Sequence, residues 1–177
     1  KLRICFPNAF RTDILTEDVI DAMVAAGLFH TAVALESGST RIQKLIRKNL
    51  NIPRFLHNVA LLDKKGVYMQ GFTVMGFPTE TEEEMELTIN TACGARFHAA
   101  SFFTVLPFPG TEIYDLAMKM HPERLKNIDY TNADFHRNLV NLSDVPDDVF
   151  YARIRQAWRR FYLNPHRIYG LCRRFPE

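Results

Sequence analysis

The sequence predicts an α/β fold assembled from parallel strands, and three observations predict it. Strand-like apolar runs begin near residues 3, 31, 67 and 99, a recurrence of about 30 residues that matches one βα unit. Each run is followed by a helical pattern. The run from Val67 to Met75 is apolar at nearly every position except Gln70 and Thr73, which suits a strand buried on both faces. Units of this kind close as a barrel or lie open as a doubly wound sheet, and periodicity does not choose between them.

Taken in order, the first strand covers Arg3 to Phe6. Its helix opens at Thr16, an N-cap followed by Glu17 and Asp18 at the positive end of the helix dipole. Val19, Ile20, Met23 and Val24 share one face, and Gly27 ends the helix. The second strand is "TAVALE", Thr31 to Glu36, running into "SGST" and a helix that aligns Ile42, Leu45 and Ile46. Pro53 starts another helix that Gly66 terminates. After the third strand, Thr81 and Glu84 fit a capping box, with Thr79 and Glu82 as an overlapping alternative, and Met85, Ile89, Ala92 and Cys93 form a core face. The fourth strand runs from Ala99 to Leu106 and stops at Pro107; Thr111 caps the helix beginning at Glu112.

Beyond residue 120 the repeat fades into the polar stretch "HPERLKNIDYTNADFHRN", read as a loop or insertion. A helix then opens at Pro146 to Asp148 and continues to about Leu163. Phe150, Ile154, Ala157, Trp158 and Phe161 lie on its inner face. A last segment restarts at Pro165.

Composition narrows the functional classes. The chain has 177 residues, 47% of them apolar and 24% charged, so a folded chain with a core of ordinary size is expected. No apolar run reaches the roughly 18 residues of a membrane span. Cys5, Cys93 and Cys172 are too widely spaced for a CxxC-type metal or cluster loop, and the odd count argues against a disulfide framework. A reduced, cytoplasmic protein is the expectation. The six histidines form no HxxxH or HxH pair. No GxSxG, HExxH or glycine-rich phosphate cradle is present, so neither a catalytic nor a metal-binding residue is assigned. Seven arginines between Phe150 and Glu177 face one acid, a basic end suited to an anion, a nucleic acid or an acidic partner.

In parallel α/β folds the strand C-termini form the ligand face. The segments there are "PNAFRTD" (7–13), "ESGST" (36–40), "GFPTET" (76–81) and "PFPGT" (107–111). Glu36 ends an apolar strand and must reach water or a partner. The acids at 80, 82, 83, 84 and 86 read as dipole complementation on a solvated first helical turn; Glu80, ahead of the helix proper, is the one of them that could face a ligand. Phe102, Phe103 and Phe108 read as core or loop packing.

In that order, "PNAFRTDILTEDVIDAMVAAG", "VALESGSTRIQKLIRKNL", "GFTVMGFPTETEEEMELTI" and "FTVLPFPGTEIYDLA" resemble the third to sixth βα units of the radical S-adenosylmethionine (SAM) enzymes. The likeness is nearest to the subgroup that carries a cobalamin-binding domain ahead of the barrel. It implies a partial (β/α) TIM-like barrel with parallel strands over residues 1–120, followed by a C-terminal helical extension over 121–177. It further implies that Glu36 and Ser37 hold the amino acid or ribose part of SAM, that Lys48 meets its carboxylate, and that Val74, Met75, Leu106, Pro107, Phe108 and Pro109 line the adenine. The family's CxxxCxxC loop, which holds a [4Fe–4S] cluster, has no counterpart in this sequence. With an apolar run starting almost at Lys1, the chain is expected to be the later part of a longer enzyme and inactive alone. The expected partners are the earlier barrel strands, a cobalamin-binding domain and a small-molecule substrate, with cobalamin as a further cofactor of the whole protein. An exposed first strand predicts pairing with a second copy or aggregation. Two alternatives stand beside this reading: a non-catalytic barrel-like binding module, and part of a methylthiotransferase acting on transfer RNA.

Overall fold

The computed structural model describes residues 2–126, 128, 130–131 and 140–174. Four strands, β1 (Ile4–Phe10), β2 (Leu28–Glu36), β3 (Tyr68–Met75) and β4 (Ala99–Thr104), pair in parallel in the order β1-β2-β3-β4. Helices α1 (Glu17–Ala26), α2 (Thr40–Leu45), α3 (Ile52–Lys64), α4 (Glu82–Gly94) and α5 (Glu112–Met120) alternate with or follow them. α6 (Pro122–Leu125), α7 (Asp147–Tyr162) and α8 (Pro165–Arg174) complete the described chain. The result is an α/β fold in which a four-stranded parallel sheet and its helices form a partial TIM-like barrel.

Alternation along β3 decides which side carries the core. Met69, Gly71, Thr73 and Met75 are buried, whereas Tyr68, Gln70, Phe72 and Val74 are half-buried. The buried series meets the helices: Met69 and Met75 share a core with Ile20 of α1, Phe55 and Val59 of α3, Met85 and Ile89 of α4, and Phe150 and Phe161 of α7. Gly71 makes room for the Phe97 ring, since a Cβ there would lie 2.3 Å from its carbons. The other series forms a second sheet face that is only half-buried, with Val74 packed against a smaller cluster of Ile42, Ala117 and Leu125, where the apolar run alone had suggested full burial on both sides.

Several boundaries differ from the sequence reading for identifiable reasons. β1 extends to Phe10 through residues assigned to a loop. The proline at position 7 is tolerated because β1 is an edge strand, and the pairing register shifts between Phe6 and Phe10. β2 starts at Leu28 because Gly27, at φ 114°, ends α1 and turns the chain directly into the strand. β4 ends at Thr104, two residues short of Leu106. In the polar stretch after residue 120, Pro122 to Leu125 form a helical turn that buries Leu125; residues 127, 129 and 132–138 of that stretch lie outside the described residues.

The acidic and basic runs explain each other. Arg153 of α7 pairs with Glu82 and Glu86 of α4, and Arg160 pairs with Glu86 at 2.5 Å and donates to Asn90. Thus Glu82 and Glu86 face α7, where the sequence reading had left a solvated turn. Arg167 of α8 donates to the carbonyl oxygens of Cys93, Ala95 and Phe97, closing the end of α4, and lies over the Phe161 ring. Tyr162 protects the sheet's outer edge: its hydroxyl accepts from Ala100 N–H (3.0 Å) and donates to Ala100 C=O (2.7 Å).

Candidate functional site

At the C-terminal end of the sheet, the last residues of β2, β3 and β4 open onto a cavity of about 590 Å³. Its walls are apolar, from Ile46, Phe72, Val74, Phe77, Phe103 and Leu106, and it contains one ion pair, Lys48 Nζ to Glu36 Oε1 at 2.6 Å. Both charged side chains remain partly exposed, 18% and 26%. The pair can therefore exchange partners with an incoming zwitterion without first becoming a buried unpaired charge. Phe72 and Phe103 meet edge to face at 5.4 Å on one wall, an apolar surface suited to a heterocycle.

Backbone geometry aims the charges. Glu36 closes β2 at φ 59°, and Lys48 sits between Arg47 at φ 53° and Asn49 at φ 47°. Left-handed conformations are rare for side-chain-bearing residues and persist where surrounding bonds over-determine them. Here Arg11 donates to Lys48 C=O at 2.8 Å while its guanidinium grips Asp13 in a bidentate pair. Asp13 in turn accepts from Asn51 N–H at 3.1 Å. Burial pushes the Asp13 carboxyl up, but the Arg11 and Asn51 hydrogen bonds outweigh it and hold the group below the usual carboxylate range.

The turn between β3 and α4 forms the next wall. Gly76 takes φ 87° against Phe150, and Thr79, at φ 67°, is held by Arg41, which donates to its hydroxyl (2.9 Å) and carbonyl (2.6 Å). Thr81 caps α4 in a capping box with Glu84, whose carboxylate also binds Arg41 and accepts from the Ser39 hydroxyl at 2.7 Å. Glu80 does not face a ligand. It is fully buried, its Oε2 accepts from Gly76 N–H (2.6 Å) and Phe77 N–H (3.2 Å), and its Oε1 has no hydrogen-bond partner among the described residues. Burial, only partly offset by those two bonds, pushes its carboxyl up to about 8.

The structure brings Glu36, Lys48, Val74 and Leu106 together around the cavity. Ser37 is buried behind it, accepting from Ser39 N–H and sharing a hydrogen bond with Thr88. Met75 turns its side chain into the helical core, and its carbonyl accepts from Val105 N–H. Pro107 is buried and its carbonyl accepts from Tyr130; Phe108 leans exposed on Tyr130, and Pro109 is exposed beside it. Phe103, read from sequence as packing, lines the cavity, while its neighbour Phe102 joins the core. Period-two alternation along β3 and β4 carried the signal for Phe72 and Phe103: they share a face with Val74.

The donor set fits SAM. A carboxylate and an ammonium stand ready for an amino-acid zwitterion or ribose hydroxyls, beside apolar walls for an adenine. It does not fit an iron–sulfur cluster, because Cys5, Cys93 and Cys172 lie on β1, α4 and α8. Among the described residues no group of three His, Cys, Asp or Glu could hold a metal ion. No described helix is long and apolar enough to cross a membrane.

Comparison with known proteins places these residues in context. Residues 4–92 match the family model of the Radical SAM superfamily. An uncharacterized methyltransferase of Pyrococcus horikoshii is 29% identical over 165 residues, 93% of this chain and 35% of that protein. The cytidylyl-2-hydroxyethylphosphonate methyltransferase of Streptomyces wedmorensis is 34% identical over 106 residues, 56% of this chain and 20% of that protein. A tRNA-2-methylthio-N(6)-dimethylallyladenosine synthase of Tropheryma whipplei is 36% identical over 100 residues, 54% of this chain and 21% of that protein. The chain spans about a third or less of the length of these relatives.

Proposed function

We propose, because the chain belongs to the radical SAM superfamily, that it forms the SAM-holding later strands of the barrel in an enzyme transferring a methyl or methylthio group. The single observation that carries this reading is the Glu36–Lys48 pair set in an apolar cavity at the strand C-termini. Glu36 takes the ammonium or ribose of SAM, Lys48 the carboxylate, and Val74, Phe103 and Leu106 the adenine. The family's chemistry uses SAM and a [4Fe–4S] cluster, and the cluster supplies the electron for reductive cleavage. Residues of this chain bind and orient the cofactor; thiolates for the cluster come from elsewhere in the proposed whole protein, together with a cobalamin-binding domain and the remaining strands.

Two tests bear on the proposal. Glu36→Gln and Lys48→Met each weaken SAM binding by about tenfold in a calorimetric titration, the loss of one charge-assisted contact; unchanged affinity in both contradicts the site. The 177-residue chain alone forms no 5′-deoxyadenosine after anaerobic reconstitution with iron and sulfide. If it assembled a stoichiometric cluster and cleaved SAM unaided, the partial-barrel reading would be wrong. Similarity to a transfer-RNA-modifying enzyme favours methylthio transfer as the second reaction class. Docking of RNA on the basic C-terminal helices is not favoured, since Arg153, Arg160 and Arg167 are spent on contacts within the chain. Salt-sensitive RNA binding by this chain would reverse that judgement.

A further inference from the structure

One buried side chain reaches both sides of the residue that supplies the cavity's carboxylate. Gln43 of α2 is 1% exposed. Its Nε2 donates to Leu35 C=O at 2.7 Å and to Ser37 C=O at 2.6 Å, the two carbonyls that flank Glu36. Its Oε1 accepts from Leu50 N–H at 3.3 Å, and its own carbonyl accepts from Lys48 N–H (3.0 Å) and Asn49 N–H (3.1 Å). Gln43 thus holds both the segment around left-handed Glu36 and the turn that carries Lys48 and left-handed Asn49.

We propose that Gln43 is a positioning residue that sets the Glu36–Lys48 pair, fixing the spacing between the cavity's negative and positive charges and hence the kind of zwitterion it accepts. A carboxamide offers two N–H donors and an acceptor at once, and this site uses both kinds: donors toward the end of β2, the acceptor toward the chain leading out of the Lys48 turn. No other side chain of similar size does both. Glutamate would set oxygen against two carbonyls, and methionine would remove all three of these side-chain bonds. Arg11 holds the Lys48 turn from the opposite side through Lys48 C=O, so loss of Gln43 releases Glu36 first and separates the pair without removing either charge.

The role of the pair as a SAM site rests on the function proposed above; the positioning by Gln43 does not, and the experiment separates the two. The full chain is isotope-methylated at lysine, and the Lys48 signal is recorded with and without Glu36→Gln, in wild type and in Gln43→Met. The expected result is a clear shift of the Lys48 signal on Glu36→Gln in wild type and its loss in Gln43→Met, with core signals retained. An undiminished shift in folded Gln43→Met overturns the proposal. Should Gln43→Met fail to fold, Gln43→Glu takes its place with the same two outcomes. Failure of both to fold also overturns it, by making Gln43 a core group whose loss is global. If the Lys48 results come out as expected while wild type binds no SAM, the positioning role stands and the SAM reading falls.

Discussion

Glu80 gives a prediction that reads the β3–α4 turn directly. Its carboxyl is fully buried and its proton is held to about pH 8, against an ordinary value of 4.5. The first cause is burial, reinforced by Glu84; the N–H groups of Gly76 and Phe77 and the nearby Arg41 act in the opposite direction. The folded chain therefore retains a proton that the unfolded chain releases near pH 4.5, so stability falls as pH rises between those values and is level outside them. At about 1.4 kcal/mol per pH unit, the loss from pH 5 to pH 8 is about 4 kcal/mol. Glu80→Gln cannot ionise and removes that slope. Its carboxamide oxygen keeps the two backbone bonds, and its NH₂ replaces Oε1, which has no partner among the described residues, at a pH-independent cost of about 1–3 kcal/mol. The variant is accordingly less stable than wild type at pH 5 and draws level or overtakes it by pH 8. Urea unfolding at pH 5, 6, 7 and 8 measures this; parallel curves for the two proteins would refute the reasoning.

Two further substitutions test the packing that sets the sheet. Gly71→Ala drives a methyl into the Phe97 ring, 2.3 Å from its nearest carbons, and lowers stability by about 1–3 kcal/mol in thermal unfolding; a neutral result would mean that the ring is free to move. Tyr162→Phe removes both bonds to Ala100, costs about 1–3 kcal/mol, and speeds amide exchange at Ala100, which unchanged exchange would contradict.

Much of the α/β order was legible in sequence because local signals agreed with the fold. Thr16, Ser39, Thr81 and Thr111 cap their helices through side-chain bonds, and each is a hydroxyl placed just ahead of an apolar periodicity. Glu36 stood out because a carboxylate closing an apolar strand needs a partner, and it has Lys48. What sequence could not supply were long-range partners. Glu82 and Glu86 read as solvent-facing acids because nothing local points to Arg153 and Arg160, roughly seventy residues away. Glu80 read as an acid of that solvated turn, open to a ligand, because its burial comes from the fold of the turn around it, where its own backbone also accepts from Asp144 N–H. Gln43 carries no motif, and its role depends on three bonds fixed only once α2 folds back on β2.

Titrating the isotope-labelled chain with SAM and following backbone amide shifts tests the central claim most directly. The account predicts perturbations concentrated at Glu36, Lys48, residues 72–77 and residues 103–106, around the cavity at the strand C-termini. Perturbations confined to the opposite end of the sheet, around Asp63, His98 and Arg167, or no perturbation at millimolar SAM, would contradict it.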